Sequence, residues 1–202
     1  MTGLVCVFPS TDTGRMNETT DSLKNQFLVA MPGLQDENFN HTVSLLCEHS
    51  DNGAVGLVIN RPTDLRLSEM MEQMGLEHDE VDGGAIVYWG GPVQPERGFV
   101  IHREPGGWES CLPLDEGLYI TTSRDILGAI GKGEGPKEFF VVLGYAGWDA
   151  GQLEAEMLHN AWLNTPLDGQ ILFGIPAGER WQAATRLLGV DVTQISSEAG
   201  HA

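Results

Sequence analysis

The sequence predicts an α+β fold built on a mixed sheet, and three observations predict it. Strand-like apolar runs outnumber helical stretches, they cluster in the first half of the chain, and a hairpin signal joins two of them. A regular strand–helix alternation, which would indicate an all-parallel sheet, is missing, and no internal repeat is visible.

Residues 1–22 carry none of this pattern. TDTGRMNETTDS is polar and aperiodic, which predicts a disordered extension, with residues 23–202 forming a single domain. Met16 opens a natural second beginning, MNETTDSLKNQFLVAMPG. QFLVAM (26–31) then reads as a strand stopped by Pro32-Gly33. TVSLLCEH (42–49) and AVGLVINR (54–61) read as two strands joined by Ser50-Asp51-Asn52-Gly53, because Asn and Gly accept positive φ cheaply. The second run is apolar or small on both faces, as in a central strand, and Pro62 is expected to end it. LSEMMEQMGL (67–76) reads as a short helix whose three Met fill core space.

Further strands are expected at AIVYWG (85–90), GFVIHR (98–103), GLYITT (117–122), EFFVVLGY (138–145) and QILFGI (170–175). Helices are expected at SRDILGAIG (123–131), AGQLEAEMLHNAW (150–162) and GERWQAATRLLG (178–189).

Composition narrows the function classes. A chain of 202 residues, 41% hydrophobic and 20% charged, suits one cored domain. Its net charge of −18, from 11 basic and 29 acidic residues, opposes broad contact with nucleic acid or anionic lipid. No basic cluster or helix-turn-helix pattern offsets that charge. Cys6, Cys47 and Cys111 are scattered without a C-x-x-C pair, so neither a zinc site nor a disulfide framework is expected. No metal or cofactor is called for. The opening MTGLVCVFPS lacks a basic leader and no apolar run reaches membrane length, so a cytoplasmic protein is expected.

The segment LGYAGWDAGQLEAEMLHNAW (143–162) concentrates the special residues. A strand, a Gly-rich turn and a helix could cradle an anion, but the phosphate-loop, nucleophile-elbow and dinucleotide patterns all fail here. A structural bend accounts for more: Gly144 and Gly147 permit it beside Trp148, Asp149 caps the helix, and Gln152 reciprocates. A helical wheel puts Leu153, Met157, Leu158, Ala161 and Trp162 on one face, with Glu154 inside that apolar arc. A carboxylate there must be hydrogen-bonded, paired or protonated, either as a structural contact or as a pocket acid or base. Gln152, Glu156, His159 and Asn160 fall on the opposite, solvated side.

LGYAGWDAGQLEAEM, VINRP (58–62), GGPV (90–93), RGFVIH (97–102), QFLVAMPG (26–33) and HTVSLLCEH (41–49) occur together, and in this combination the chain resembles the AlgH/YqgE family of bacterial proteins. The match runs from about residue 25 to the C-terminus, whose AGHA is similar to pseudomonad endings, while the N-terminal extension departs from the pattern. The resemblance implies a branched mixed sheet, closing partly into a small barrel, with helices around it. It also implies a cytosolic protein without an established reaction. The family name points to control of alginate synthesis, and the label of transcriptional regulator is common. With this charge, regulation through a protein or small ligand is the expected route.

Candidate ligand contacts are Asn60 and Arg61 at a strand end, where an arginine fork could hold an anion or anchor a loop. Gly90 and Gly91 allow close backbone approach, and Glu154 completes the set. The alternative to a regulator is a small-molecule-binding or hydrolase-like protein with a pocket near Arg61 and Glu154. Cys47 and His49 share a strand face, but i, i+2 side chains stand too far apart for a nucleophile pair. His41 and His102 could meet them only through the fold, and no spacing favours a metal.

Overall fold

The first strands lie where the apolar runs place them. In the computed structural model, which describes residues 22–189, β1 (Gln26–Ala30), β2 (Val43–Ser50) and β3 (Gly53–Val58) form an antiparallel meander. The β2–β3 hairpin closes over Asp51-Asn52, with Ser50 opposite Gly53 at φ 122°. The N-terminal extension, Cys6, Met16 and the AGHA ending lie outside the described residues.

One long strand organises the rest. β9 (Phe139–Asp149) pairs through Ala146–Asp149 with β3. Its earlier half pairs in parallel with β5 (Ile86–Trp89) on one side and antiparallel with β6 (Val93–Arg103) on the other. β8 (Leu118–Thr121) and β7 (Cys111–Pro113) extend the sheet beyond β6, β4 (Pro62–Arg66) pairs with β5, and β10 (Trp162–Pro166) adds to β1. The result is an α+β fold with a branched, mixed, ten-stranded sheet, mostly antiparallel and curled into a half-barrel. Five helices surround it among the described residues.

Period-two alternation explains the packing, because successive side chains of a strand face opposite sides. Phe27, Leu45, Leu57, Ile101 and Val142 point into the curl. The curl is stoppered by Ile171 and Leu172 of α4 (Gly169–Phe173) and Ala184 of α5 (Ala177–Leu187). Val100 and Val141 face outward under α1 (Leu67–Gln73) and α2 (Asp125–Gly131), where Met70 and Met71 fill core space as expected. Leu28, Ala146 and Trp148 face outward elsewhere, against α3 (Gln152–Leu158).

Four expectations are corrected. QILFGI is the helix α4, not a strand: Asp168 Oδ1 accepts the Gln170 N–H at 2.7 Å and starts a turn that buries Ile171 and Leu172. A short apolar run carries no period that separates the two. GYAGWD is not a turn, since β9 runs on as a strand through Asp149, broken only by Gly144 at φ 74°. The expected helix over 150–162 ends at Leu158; Asn160 takes φ 54° and Trp162 opens β10. β3 stops at Val58, and Pro62 begins an edge strand, a position that needs no proline N–H.

Candidate functional site

The sequence segments singled out above meet where the sheet branches. Gly90 N–H donates to Leu143 O at 2.7 Å, Val58 N–H to Gly90 O at 2.8 Å, and Trp89 N–H to Arg61 O at 2.8 Å. Two backbones cross here with no room for side chains. A Cβ on Gly90 would overlap Gly144 O, one on Gly91 would overlap Tyr145, and one on Gly144 would overlap Gly91 O. Gly91 and Gly144 also hold φ of 154° and 74°, which disfavour any side chain. Gly147 differs: it lies in extended β9 with ordinary space around a Cβ, so it makes no bend.

Asn60 and Arg61 tie this branch to the loop before β2. Asn60 Oδ1 accepts Val43 N–H and its Nδ2 donates to His41 O, both at 2.9 Å. Arg61 donates to Asn40 O at 3.2 Å and lies 5.3 Å from the centre of the Trp89 ring. Glu154 is elsewhere. Arg61 sits beyond the Val58 end of the β2–β3 ladder, whereas Glu154 bonds His49 at the Ala54 end. Five residues of strand separate those ends, roughly 17 Å.

Glu154 is not buried, which corrects the helical-wheel reading. Its side chain is 50% exposed, and its Oε1 lies 2.7 Å from His49 Nε2. His49 Nδ1 accepts the Leu23 N–H at 2.9 Å, so Nε2 carries the proton and donates to the carboxylate. A hydrogen bond from its own backbone N–H, then the His49 contact, hold the Glu154 carboxyl below its ordinary range.

The capping assignment also changes. Gly151, at φ 74°, is the N-cap, and Asp149 ends β9 without capping through its side chain. Asp149 N–H does donate to Gln152 Oε1 at 3.0 Å, the reciprocal half of the expected box. The inward carboxylate is Glu156, expected in solvent. Its Oε2 accepts the indole N–H groups of Trp148 at 3.0 Å and Trp162 at 2.8 Å, while Oε1 accepts Gln152 Nε2 at 2.8 Å. The wheel failed because two turns of helix cannot carry a face to Ala161, which lies past the helix end, or to Trp162, which opens the next strand.

Sequence reasoning missed Arg180. It is 5% exposed, donates to Ile175 O at 3.1 Å and to Ile59 O, and lies between the rings of Tyr88 (5.3 Å) and Phe140 (5.0 Å). No carboxylate pairs with it among the described residues, and burial lowers the guanidinium's pKa. The i, i+4 spacing of Arg180 and Ala184 could have disclosed its inward position.

The thiol and imidazole candidates stay apart. Cys47 is buried, contacts Leu45 O at 3.4 Å, and burial pushes its thiol above the ordinary range. His102 is fully buried: Nδ1 donates to Arg103 O and Glu104 O, and Nε2 accepts from Thr121 Oγ1 at 2.9 Å. His41 packs edge-on against Trp181 at 4.6 Å. Among the described residues no three His, Cys, Asp or Glu side chains cluster as a metal site.

A groove of about 1020 Å³ opens on the outer face of β6 and β9. Its floor is apolar: Val100, Val141 and Leu143 from the strands, Met70, Met74 and Leu127 from the helical side. Arg97, Arg124, Glu96 and Ser123 also line it. Arg124 donates to Met74 O, and Arg97 reaches Gln94 Oε1 at 3.4 Å and lies over Phe99. Neither arginine forms an ion pair among the described residues. No sequence pattern discloses this groove, since residues far apart in the chain line it.

Comparison with known proteins agrees with the geometry. A family model described as AlgH-like, DUF179, matches residues 27–193. A UPF0301 protein of Thioalkalivibrio sulfidiphilus is 55% identical over 183 residues, covering 91% of this chain and 98% of its own. One from Methylococcus capsulatus is 50% identical over 187 residues, 92% of this chain and all of its own. The solution structure of the AlgH protein from Pseudomonas aeruginosa aligns with TM-score 0.72 and 46% identity, over 94% of this chain and 100% of that one.

Proposed function

The chain belongs to the AlgH-like DUF179 family, and on that premise we propose that it is a cytoplasmic, indirect regulator of gene expression, of the alginate or exopolysaccharide kind. It acts through a bound small ligand or a protein partner and does not contact DNA. The groove on β6 and β9 is the observation that carries this reading: an apolar floor with convergent polar groups is what a small-molecule site requires. The charge of −18 supports the indirect route, because phosphate contacts need clustered Lys and Arg. Among the described residues no helix is long and apolar enough to cross a membrane.

The alternative is a small-molecule-binding or hydrolase-like protein with a pocket near Arg61 and Glu154. It draws no support from the geometry, in which Arg61 anchors a loop and Glu154 bonds His49.

Native mass spectrometry of protein purified gently from its own cytoplasm tests the proposal. A retained small molecule or a stoichiometric partner is expected. The same protein should show no DNA binding by anisotropy at physiological salt. Sub-micromolar binding that survives competitor DNA would overturn the indirect route.

A further inference from the structure

His49 joins two segments that lie on either side of it. Its side chain is 9% exposed. The Leu23 N–H, in the entry to β1, donates to Nδ1 at 2.9 Å, and Nε2 lies 2.7 Å from Glu154 Oε1 on α3. Among the described residues no other acceptor takes the Leu23 N–H. The Leu23 side chain, like those of Phe39 and Met157, packs against the outer cluster that contains Leu28, Trp148 and Trp162. The bond to His49 therefore holds an apolar contact in place as well as a chain direction.

A backbone N–H can only donate, so Nδ1 carries no proton while this bond stands. The imidazole is then neutral, with its one proton on Nε2 facing the carboxylate. Protonation puts N–H groups on both ring nitrogens. Nδ1–H then opposes the Leu23 N–H, donor against donor, and that bond is lost. The Glu154 contact survives, because Nε2 keeps its proton and the pair becomes ionic. The new ion pair acts on α3 and not on Leu23, so it cannot hold the entry to β1. Neutral His49 keeps both contacts, and charged His49 keeps one.

The surroundings leave His49 as the group that switches. Glu154 is the charged group in contact with it, and the Glu154 carboxyl, held below its ordinary range, stays ionised as pH falls. The other acid on that stretch of α3, Glu156, is turned to the two indoles. β3 places Ala54 opposite His49, and β9 places Trp148 beyond it, neither of them titratable. Glu48 and Asp149, next to His49 and Trp148 along their strands, alternate to the opposite face. Lys24 follows Leu23 and acts on the Glu48 carboxyl, and Asp51 lies in the hairpin turn.

We propose that His49 is a pH-operated latch: neutral, it holds Ser22–Lys24 against β2, and protonated, it releases them while keeping its grip on α3. The release stops at Asn25, whose N–H donates to Leu46 O at 2.9 Å. Acid thus uncovers part of the outer apolar cluster without unfolding the sheet.

Amide hydrogen exchange of the full chain, followed by NMR and expressed as protection factors, tests this between about pH 8 and pH 5, where histidine changes charge. Leu23 should lose about tenfold or more of its protection over this range, the size of one net hydrogen bond. Ala30, whose N–H donates to Thr42 O at 3.0 Å within the sheet, should lose less. Nitrogen spectra of the His49 ring should place the proton on Nε2 at the upper pH. His49→Gln has no titrating ring, so its Leu23 protection should not vary with pH, whether or not the amide oxygen replaces Nδ1. Leu23 protection that is constant in the parent overturns the latch, as does a proton found on Nδ1. So does an Ala30 loss as large as that of Leu23, which is global opening, or a pH-dependent Leu23 loss that persists in His49→Gln.

Discussion

Glu156 and Trp162 are joined by a 2.8 Å hydrogen bond from the indole N–H to the carboxylate. The same oxygen takes the indole of Trp148 at 3.0 Å, so one acidic side chain of α3 fastens β9 to β10. Both indoles are buried, at 6% and 2% exposure, and a buried N–H without an acceptor is costly.

Glu156→Ala should therefore destabilise the protein by about 1.5–3 kcal/mol, the range for hydrogen bonds to a charged group. Glu156→Gln should cost less, because its amide oxygen still accepts. Urea unfolding followed by tryptophan fluorescence measures both. An Ala variant as stable as the parent would show that the indoles find other acceptors.

The glycines of the branch divide sharply. Gly144→Ala places a Cβ on Gly91 O at a φ of 74°, so strain alone should cost about 1–3 kcal/mol and the overlap more. Gly147→Ala, in extended strand with free space, should stay within about 0.5 kcal/mol of the parent. Melting temperatures of the two variants check this. Equal shifts would mean that Gly144 is not a forced position.

Much of the sheet was legible because β2 and β3 are short apolar runs and a two-residue turn joins them, signals that act locally. The inward Glu156 was not legible. Its position depends on α3 ending at Leu158, and that end depends on Trp162 being claimed by a strand partner, β1, far away in sequence. QILFGI failed for a related reason, since a six-residue run with four large apolar side chains fits a buried strand or a buried helix equally well. Gly90, Gly91 and Gly144 stand in the sequence only as glycines beside apolar runs, and Asn60 and Arg61 only as a strand-end pair. Their backbone contacts with one another are visible only in the folded chain.

His102 should make stability depend on pH. Burial lowers its pKa, although its bonds to Arg103 O and Glu104 O oppose that shift. The folded state then holds fewer protons than the unfolded chain, whose histidines titrate near 6.5. Its contribution is complete above that pH and is lost as pH falls from there through the folded pKa. Urea midpoints between pH 7 and 5 should decline, and the decline should flatten in His102→Gln. An imidazole signal for His102 titrating above 6.5 would reverse the sign and refute this.

Arg180 offers the strictest test of the core. Its guanidinium is inside the protein without a carboxylate among the described residues, and it is held by two backbone carbonyls and two aromatic faces. Ile59 O, one of those carbonyls, belongs to the residue just before Asn60 and Arg61, so Arg180 locks α5 to the segment that anchors the branch. Arg180→Ala removes the donors and leaves a void beneath Tyr88 and Phe140. Together these should cost about 3–5 kcal/mol, within the range of large-to-small core substitutions. Arg180→Lys keeps a stem that fills the space, but its single ammonium cannot reproduce the planar fork over two rings. It should fall between the parent and the Ala variant in a urea titration. An Ala variant within about 1 kcal/mol of the parent would mean that water replaces both donors, and that Arg180 does not fasten α5 to the strand end.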